Sequence, residues 1–364
     1  MQLALLTSAK GWRGSAASYA KLARGLRARG HESLLITTSG KLTARFTAER
    51  LPVAEIPGQN TGLREVWALW QTLRRIAAEA VVVDTPRDLR LASLASLLHP
   101  VKVVYRYNLN YRLARNDLAD RLYARRVSAC VFQSGFIQEE ASRQAPWVAR
   151  MPGYRVANGY DTELFVARPA EAAAFRRKWG IPAEILMVLT SAKLARNKGH
   201  ELALRALHQV RSGGLDLIYV ICGDGVREPE LRAMAAASGL AARFTGLLET
   251  DELIAGLAAA DLVVHPSPQE IFPNAVGEAM SCERAVVAVD SGGTSELVGR
   301  DGSAGILVPA NDAGALAAAV TALLRDPEYR ARLGSAARER IQREFPLDRM
   351  IDGYEALLQQ VVGS

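Results

Sequence analysis

The chain reads as α/β: two Rossmann-like domains, each a doubly wound parallel sheet, facing a central cleft. Three observations predict this. Short apolar runs alternate with amphipathic helical patterns through both halves of the sequence. A length of 364 residues is long for one core and comfortable for two. The stretch VANGYDTELFVARPAE then interrupts the alternation with turn residues and no clear period, as a linker does. Strands alternating with helices imply parallel sheets covered on both faces.

In the first half, strands are expected at Leu3–Thr7, Ser33–Thr37, Ala80–Val83, Val101–Tyr105 and Ser128–Phe132. The opening MQLALLTS is too short, and lacks the basic start, to be a signal peptide. Helices fill the gaps, such as SAASYAKLARGLRARG, closed by Gly30 as a C-cap. In the second half, strands are expected at Ile185–Ser191, Leu217–Cys222, Arg243–Thr245, Leu262–His265, Ala285–Val289 and Gly305–Val308. The boundaries that follow are 1–157 for the first domain, 158–172 for the linker and 173–342 for the second domain. The helix of 343–364, carrying YEALLQQVV, is expected to cross back to the first domain.

Composition narrows the class. No apolar run approaches the roughly 18 residues needed to span a bilayer. Three scattered cysteines, Cys130, Cys222 and Cys282, argue against a disulfide framework or a zinc site and for a reducing cytoplasm. Net charge is +7, unevenly spread: residues 1–150 carry 23 Lys and Arg against 11 Asp and Glu, and the remainder 22 against 27. A basic first half implies an anionic partner, such as a phosphorylated acceptor or an anionic membrane surface. No nucleic-acid module accompanies the charge.

The most informative stretch is PSPQEIFPNAVGEAM. Glu270 falls in the loop after the strand ending at His265, and Glu278 about a turn into the helix that follows Asn274. Ligands bind in that crevice of open α/β sheets. The amides of Phe272, Asn274 and Ala275 stand at a helix N-terminus, which suits a phosphate. One carboxylate can reach a sugar while the other holds ribose hydroxyls. Two glutamates eight apart are otherwise ordinary on a solvated face, so the context decides.

That context includes TSAKLARNKGHELALRAL, where Lys193 and Lys198 bracket a loop opening onto a helix and can neutralise a diphosphate. Elsewhere such lysines are simply solvated. The block GDG after a buried strand reads equally well as a tight turn. Near the start, Gly11 and Gly14 lie between the first strand and first helix, without the spacing of a dinucleotide or P-loop signature. Gly14 remains a place where backbone can approach a ligand.

Taken in order, these blocks resemble the retaining glycosyltransferases of family four, built on the GT-B fold. The glycine loop is followed by NGYDTELF, the two lysines, ICGDG, FTGLLETDELIAGLAAADLVVHPS, the paired glutamates, SGGTSE and GILVP. The match covers nearly all of the second domain and part of the first. The resemblance implies that Lys193 and Lys198 bind the diphosphate of a nucleotide-sugar, and that Glu270 holds the transferred sugar beside the amides of Phe272, Asn274 and Ala275. It further implies that Glu278 binds the ribose, that backbone around Leu248 faces the base, and that Gly14 lets the first domain approach the phosphates. No metal and no cofactor is expected; the nucleotide-sugar is a co-substrate, a UDP-sugar first and a GDP-sugar next. The sequence carries no Asp-x-Asp, and the lysines take over the electrostatic role of a metal.

There are departures from the family pattern. Lys193 stands where the family usually has Arg, and the usual Gly-Phe-Gly between the glutamates is IFPN, where Pro273 removes an amide donor. Ser295 replaces a Pro, and the first domain offers Arg106, Asn108 and Asn110 where a His is common. For the acceptor, a glycan or glycolipid, the basic stretches REVWALWQTLRRIA and NYRLARNDLADRLYARR are the guide. Either can rest on an anionic membrane, or both can cover the sheet with Trp67 and Trp70 in the core and Arg64, Arg74 and Arg75 in solvent. The expected protein is a cytoplasmic hexosyl-type transferase of bacterial envelope polysaccharide or lipopolysaccharide assembly, peripheral at the inner membrane face in one version. The alternatives are a nucleotide-sugar epimerase and a non-catalytic nucleotide-sugar-binding subunit.

Overall fold

The computed structural model describes residues 1–9, 11–12, 14–58, 60–108 and 117–364, Asp117 by its backbone alone. The chain divides into two compact units, Met1–Gly159 with Leu347–Ser364, and Tyr160–Pro346. The first unit opens with β1 (Gln2–Thr7), α1 (Gly14–Ala28), β2 (Glu32–Thr37), α2 (Gly40–Ala48) and β3 (Val53–Glu55). It continues with α3 (Leu63–Arg75), β4 (Ala80–Val83), α4 (Pro86–Ala95) and β5 (Lys102–Arg106). Then come α5 (Asp117–Arg126), β6 (Val127–Phe132), α6 (Gly135–Gln144) and β7 (Gly153–Arg155).

The second unit holds α7 (Pro169–Lys178), β8 (Leu186–Ser191), α8 (His200–Ser212), β9 (Leu217–Cys222), α9 (Glu228–Ala237) and β10 (Ala242–Gly246). It continues through α10 (Thr250–Ala259), β11 (Leu262–His265), α11 (Asn274–Ser281), β12 (Val286–Val289) and α12 (Thr294–Val298). It closes with β13 (Ile306–Val308), α13 (Ala313–Arg325) and α14 (Pro327–Glu344). The last helix, α15 (Leu347–Gly363), belongs to the first unit.

Both sheets are parallel and doubly wound, as the alternation predicts. The first runs β3-β2-β1-β4-β5-β6-β7 and the second β10-β9-β8-β11-β12-β13. Each strand order reverses once, between β1 and β4 in one sheet and between β8 and β11 in the other. The central strands are near-continuous apolar runs, such as AVVV in β4 and LVVH in β11, buried at every position. Burial on both faces selects such β-branched runs, and a helix covers each face.

Two strands escape the sequence reading. β3 and β7 are three-residue edge strands of half-exposed or exposed residues, Val-Ala-Glu and Gly-Tyr-Arg. An edge strand with solvent on one side needs no apolar run, so periodicity gives no signal for it.

In the first unit, α15 lies on α1. Met350, Ile351, Tyr354, Leu357, Leu358 and Val361 join the core of β1, β2 and α1. Gly25 is where the helices meet, because a Cβ there would overlap Ile351. One expectation needs correction. α3 packs on α4 and buries Val66, Leu69 and Leu73 but leaves Trp67 52% and Leu63 91% exposed, so this tryptophan is not a core residue.

Candidate functional site

The reversal between β8 and β11 places two loops side by side at the carboxyl end of the second sheet. One carries Lys193 and Lys198; the other carries Glu270. Such a switch point is where two neighbouring loops diverge and leave room for a ligand.

Four contacts hold the loops in register. Gly199, at φ 68°, ends the lysine loop, and its backbone passes so close to Pro266 that a Cβ would overlap the Pro266 carbonyl. The Ser267 hydroxyl donates to the Asn197 carbonyl at 3.1 Å. On the other side, Ser291 donates to the Ser267 carbonyl at 2.9 Å. Gly292, at φ 53°, leaves no space for a side chain beside the Glu270 carbonyl. Here only glycine combines the positive φ with the close approach. SGGTSE thus braces the glutamate loop from behind.

Glu270 receives two donors on one oxygen. Lys198 Nζ lies 2.6 Å from Oε1, and His265 Nε2 lies 3.1 Å from the same atom. Burial pushes the Glu270 carboxyl up, but the hydrogen bond and charge of His265, then the charge of Lys198, outweigh burial and hold it at about 2. It is therefore an anion throughout the neutral range.

Glu278 lies on α11, the helix that starts at Asn274 after Pro273. The Tyr160 ring packs against Gly277, where a Cβ would overlap it, and its hydroxyl lies 3.4 Å from the Pro273 carbonyl. Burial, followed by the charges of Glu278 and then Glu270, pushes the Tyr160 hydroxyl up. Both carboxylates therefore act on one buried phenol. Phe272 is buried against Phe345, with ring centroids 5.4 Å apart, while Asn274 and Ala275 are half-buried in the first turn of α11.

Lys193 is exposed, and its carbonyl is the hydrogen-bond partner of His200 Nε2 at 3.0 Å. Burial lowers the pKa of His200, and the nearby cations lower it further against the Lys193 carbonyl bond. A neutral His200 thus pins the lysine loop to α8. Gly223 and Gly225 of the GDG block let the next loop press on the carbonyls of Ala192 and Leu194, a close-packing role. Leu248 sits half-buried in the turn between β10 and α10.

In the first unit, Gly14 is the first residue of α1. Arg106 ends β5 and donates to Asn158 at 2.7 Å. Asn110 lies outside the described residues. The structure therefore brings Lys198 and Glu270 into direct contact and sets Lys193 on the same loop. It places Phe272 in the loop before α11, Asn274, Ala275 and Glu278 on that helix, and Leu248 in the loop after β10. His265 and His200 were not singled out from the sequence. Their signal is positional, a histidine closing the strand before Glu270 and another following the lysine loop.

Two parallel doubly wound units define an α/β protein of the GT-B type. The description "Glycosyl transferases group 1" matches residues 171–340, and "Glycosyl transferase 4-like domain" matches residues 13–191. Alpha-maltose-1-phosphate synthase of Mycobacterium tuberculosis is 30% identical over 291 residues, covering 76% of this chain and 73% of that protein. The chain belongs to the group 1 glycosyl transferases.

Alpha-D-kanosaminyltransferase of Streptomyces kanamyceticus is 30% identical over 60% of this chain and 57% of its own length. A GDP-mannose-dependent monoacylated phosphatidylinositol monomannoside mannosyltransferase of Corynebacterium glutamicum is 30% identical, over 56% and 55%. The chain spans little more than half the length of these two relatives. Among solved structures, Anabaena HepE in complex with UDP and glucose superposes with a TM-score of 0.88 over 99% of this chain and 100% of that one, at 23% identity. That likeness is one of fold.

Proposed function

We propose that the protein is a metal-independent, retaining glycosyltransferase that moves a sugar from a nucleotide-sugar to a glycan or glycolipid acceptor of the cell envelope. The observation that carries this reading is the Glu270 carboxylate, anionic and clamped at the switch point of the second sheet, in contact with Lys198 and beside the N-terminus of α11.

Transfer breaks the bond between the anomeric carbon and the β-phosphate oxygen. Negative charge grows on the leaving phosphate and positive charge on the sugar. Lys193 and Lys198 neutralise the phosphate, and the first turn of α11 adds its N–H groups. Glu270 holds sugar hydroxyls, and Glu278, one turn into α11, takes the ribose. With the acceptor on the face that the phosphate leaves, the acceptor oxygen forms the new bond and the leaving phosphate takes its proton. Configuration is then retained. Uridine and guanosine donors are both compatible with the relatives, one of which is named for GDP-mannose.

The acceptor side is read from the first unit. Trp67 and Trp70 meet on α3 with centroids 4.4 Å apart and rings tilted by 39°, Arg74 lies 5.5 Å over Trp70, and Trp70 Nε1 donates to the Leu98 carbonyl at 3.2 Å. Leu63, Leu97 and Leu98 are exposed beside Arg64, Arg74 and Arg75. An apolar rim with cationic neighbours matches an anionic lipid surface. Among the described residues no helix is long and apolar enough to cross a membrane, so contact would be peripheral.

Proton NMR of the first free sugar released from UDP-glucose or GDP-mannose in chelator tests the chemistry. The α-anomer is expected before mutarotation. An epimerised nucleotide-sugar with no free sugar would instead make the protein an epimerase.

A further inference from the structure

We propose that His265 is a positioning residue for glycosyl transfer, holding the Glu270 carboxylate in place while Lys198 leaves it for the donor phosphates. The inference rests on the reading of Glu270 as the sugar-binding carboxylate.

The geometry points there because Lys198 and His265 are unequal partners. Both meet Glu270 at Oε1, and among the described residues Oε2 accepts no hydrogen bond. Lys198 is a flexible stem with its side chain 23% exposed, standing in the loop before α8. Its three N–H donors are shared between Glu270 and an arriving diphosphate, which weakens its hold on the carboxylate. His265, by contrast, is the last residue of β11 and is 3% exposed. Its backbone is paired in register with Ala288 of β12, so the ring is carried by the sheet rather than by a loop.

A stiff donor on a strand end fixes a glutamate terminus in a way that a lysine cannot. When phosphate draws Lys198 away, His265 is the donor that remains on Oε1. It leaves Oε2 available to accept and keeps the half-buried carboxylate ionised. The charged and titratable groups around this pair are Lys198 from the loop before α8, His200 on α8, Tyr160 beside α11 and Glu278 on α11.

Removing His265 should therefore raise the Glu270 pKa from its depressed position and loosen the carboxylate, with little effect on nucleotide affinity. In the wild type the acid limb governed by Glu270 lies below the range in which rates are measured, because the group titrates at about 2. In a variant lacking the His265 donor, that limb moves upward into range.

The experiment measures release of UDP from UDP-glucose, or of GDP from GDP-mannose if only that donor binds. Rates are taken across pH for wild type, His265→Leu, His265→Gln and Glu270→Gln, with calorimetric binding of the free nucleotide to each. Expected is a drop in maximal rate of about 10- to 100-fold for His265→Leu, the span of one hydrogen bond to a charged group. Nucleotide affinity should stay within about threefold, less than one hydrogen bond is worth, and the acid limb should appear at higher pH. His265→Gln, which keeps an N–H donor, should recover most of the rate. Wild-type rate and pH profile in His265→Leu would overturn the proposal. So would joint loss of rate and nucleotide binding in both His265 variants, which marks a purely structural role. Full activity in Glu270→Gln would instead remove the reading on which the proposal rests, and is seen separately.

Discussion

Lys198 and Glu270 are 72 residues apart in sequence, yet Nζ and Oε1 lie 2.6 Å apart across the switch point of the second sheet. In the proposed reaction the pair holds a cation where phosphate charge would develop and an anion where the sugar would lie. It is built by the two loops that follow neighbouring strands β8 and β11.

Glu270→Gln keeps the shape of the side chain and removes its charge. The rate of donor turnover is expected to fall about 10²- to 10³-fold, the range for losing one well-placed electrostatic partner. Melting temperature should fall modestly at neutral pH, because the ion pair with Lys198 is lost while the glutamine oxygen can still accept from His265. Steady-state rates and a thermal melt on the same samples check both halves. A large loss of stability with intact turnover would count against the assignment.

Gly292→Ala tests the brace behind that carboxylate. The backbone there has φ 53° and abuts the Glu270 carbonyl, so alanine adds both strain and overlap. A destabilisation of about 1–3 kcal/mol is expected from the strained backbone. Activity should fall beyond what the melt explains, as the Glu270 loop is displaced. Denaturant melts with parallel turnover assays decide it.

Much of the second unit was legible from residues alone. Long apolar strands, the lysine loop and the glutamate pair each left a local signal. Legibility failed where structure depends on partners distant in sequence. β3 and β7 are edge strands formed by pairing, not by pattern. His265 gains its place only because β11 stops there and the loop returns Glu270 to the same point. Of the two readings of the α3 stretch, the one that put Trp67 in the core fails because the phase of α3 turns it outward. The bracing by Gly292 and Ser291 is a contact between loops that spacing does not reveal.

Asp84 supplies a pH dependence of a different kind. It is 1% exposed just past β4, and neither oxygen has a partner in hydrogen-bonding geometry among the described residues. Burial, then the charge of Asp88, raises its pKa to about 7, against opposing help from Arg106 and the Ser15 and Thr7 hydroxyls. A carboxyl raised on folding holds a proton that the unfolded chain gives up near pH 4, so stability falls as pH rises from about 4 to about 7. Asp84→Asn should remove that slope, stabilising the protein at pH 8 by ~1–4 kcal/mol and little at pH 4. Melts at the two pH values measure the difference. An equal effect at both would rule out a titrating Asp84.

The outer face of α3 predicts a lipid interaction with a salt signature. Wild type should sediment with phosphatidylglycerol vesicles at low salt and not with neutral phosphatidylcholine vesicles. At about 1 M salt, where the Debye length is about 3 Å, binding should weaken strongly. Trp67→Ala should reduce binding at all salt concentrations, and Arg74→Ala chiefly at low salt. Equal binding to neutral vesicles would argue against a cationic surface.

The most direct measurement is calorimetric titration of UDP, GDP, ADP and TDP into wild type and Glu278→Ala with chelator present throughout. Micromolar binding of one nucleotide, lost in Glu278→Ala and indifferent to chelator, is the predicted result; it would establish the second unit as the donor site and name its base. No binding by any of the four to the wild type would contradict the proposed donor site, and the transferase reading would fall with it.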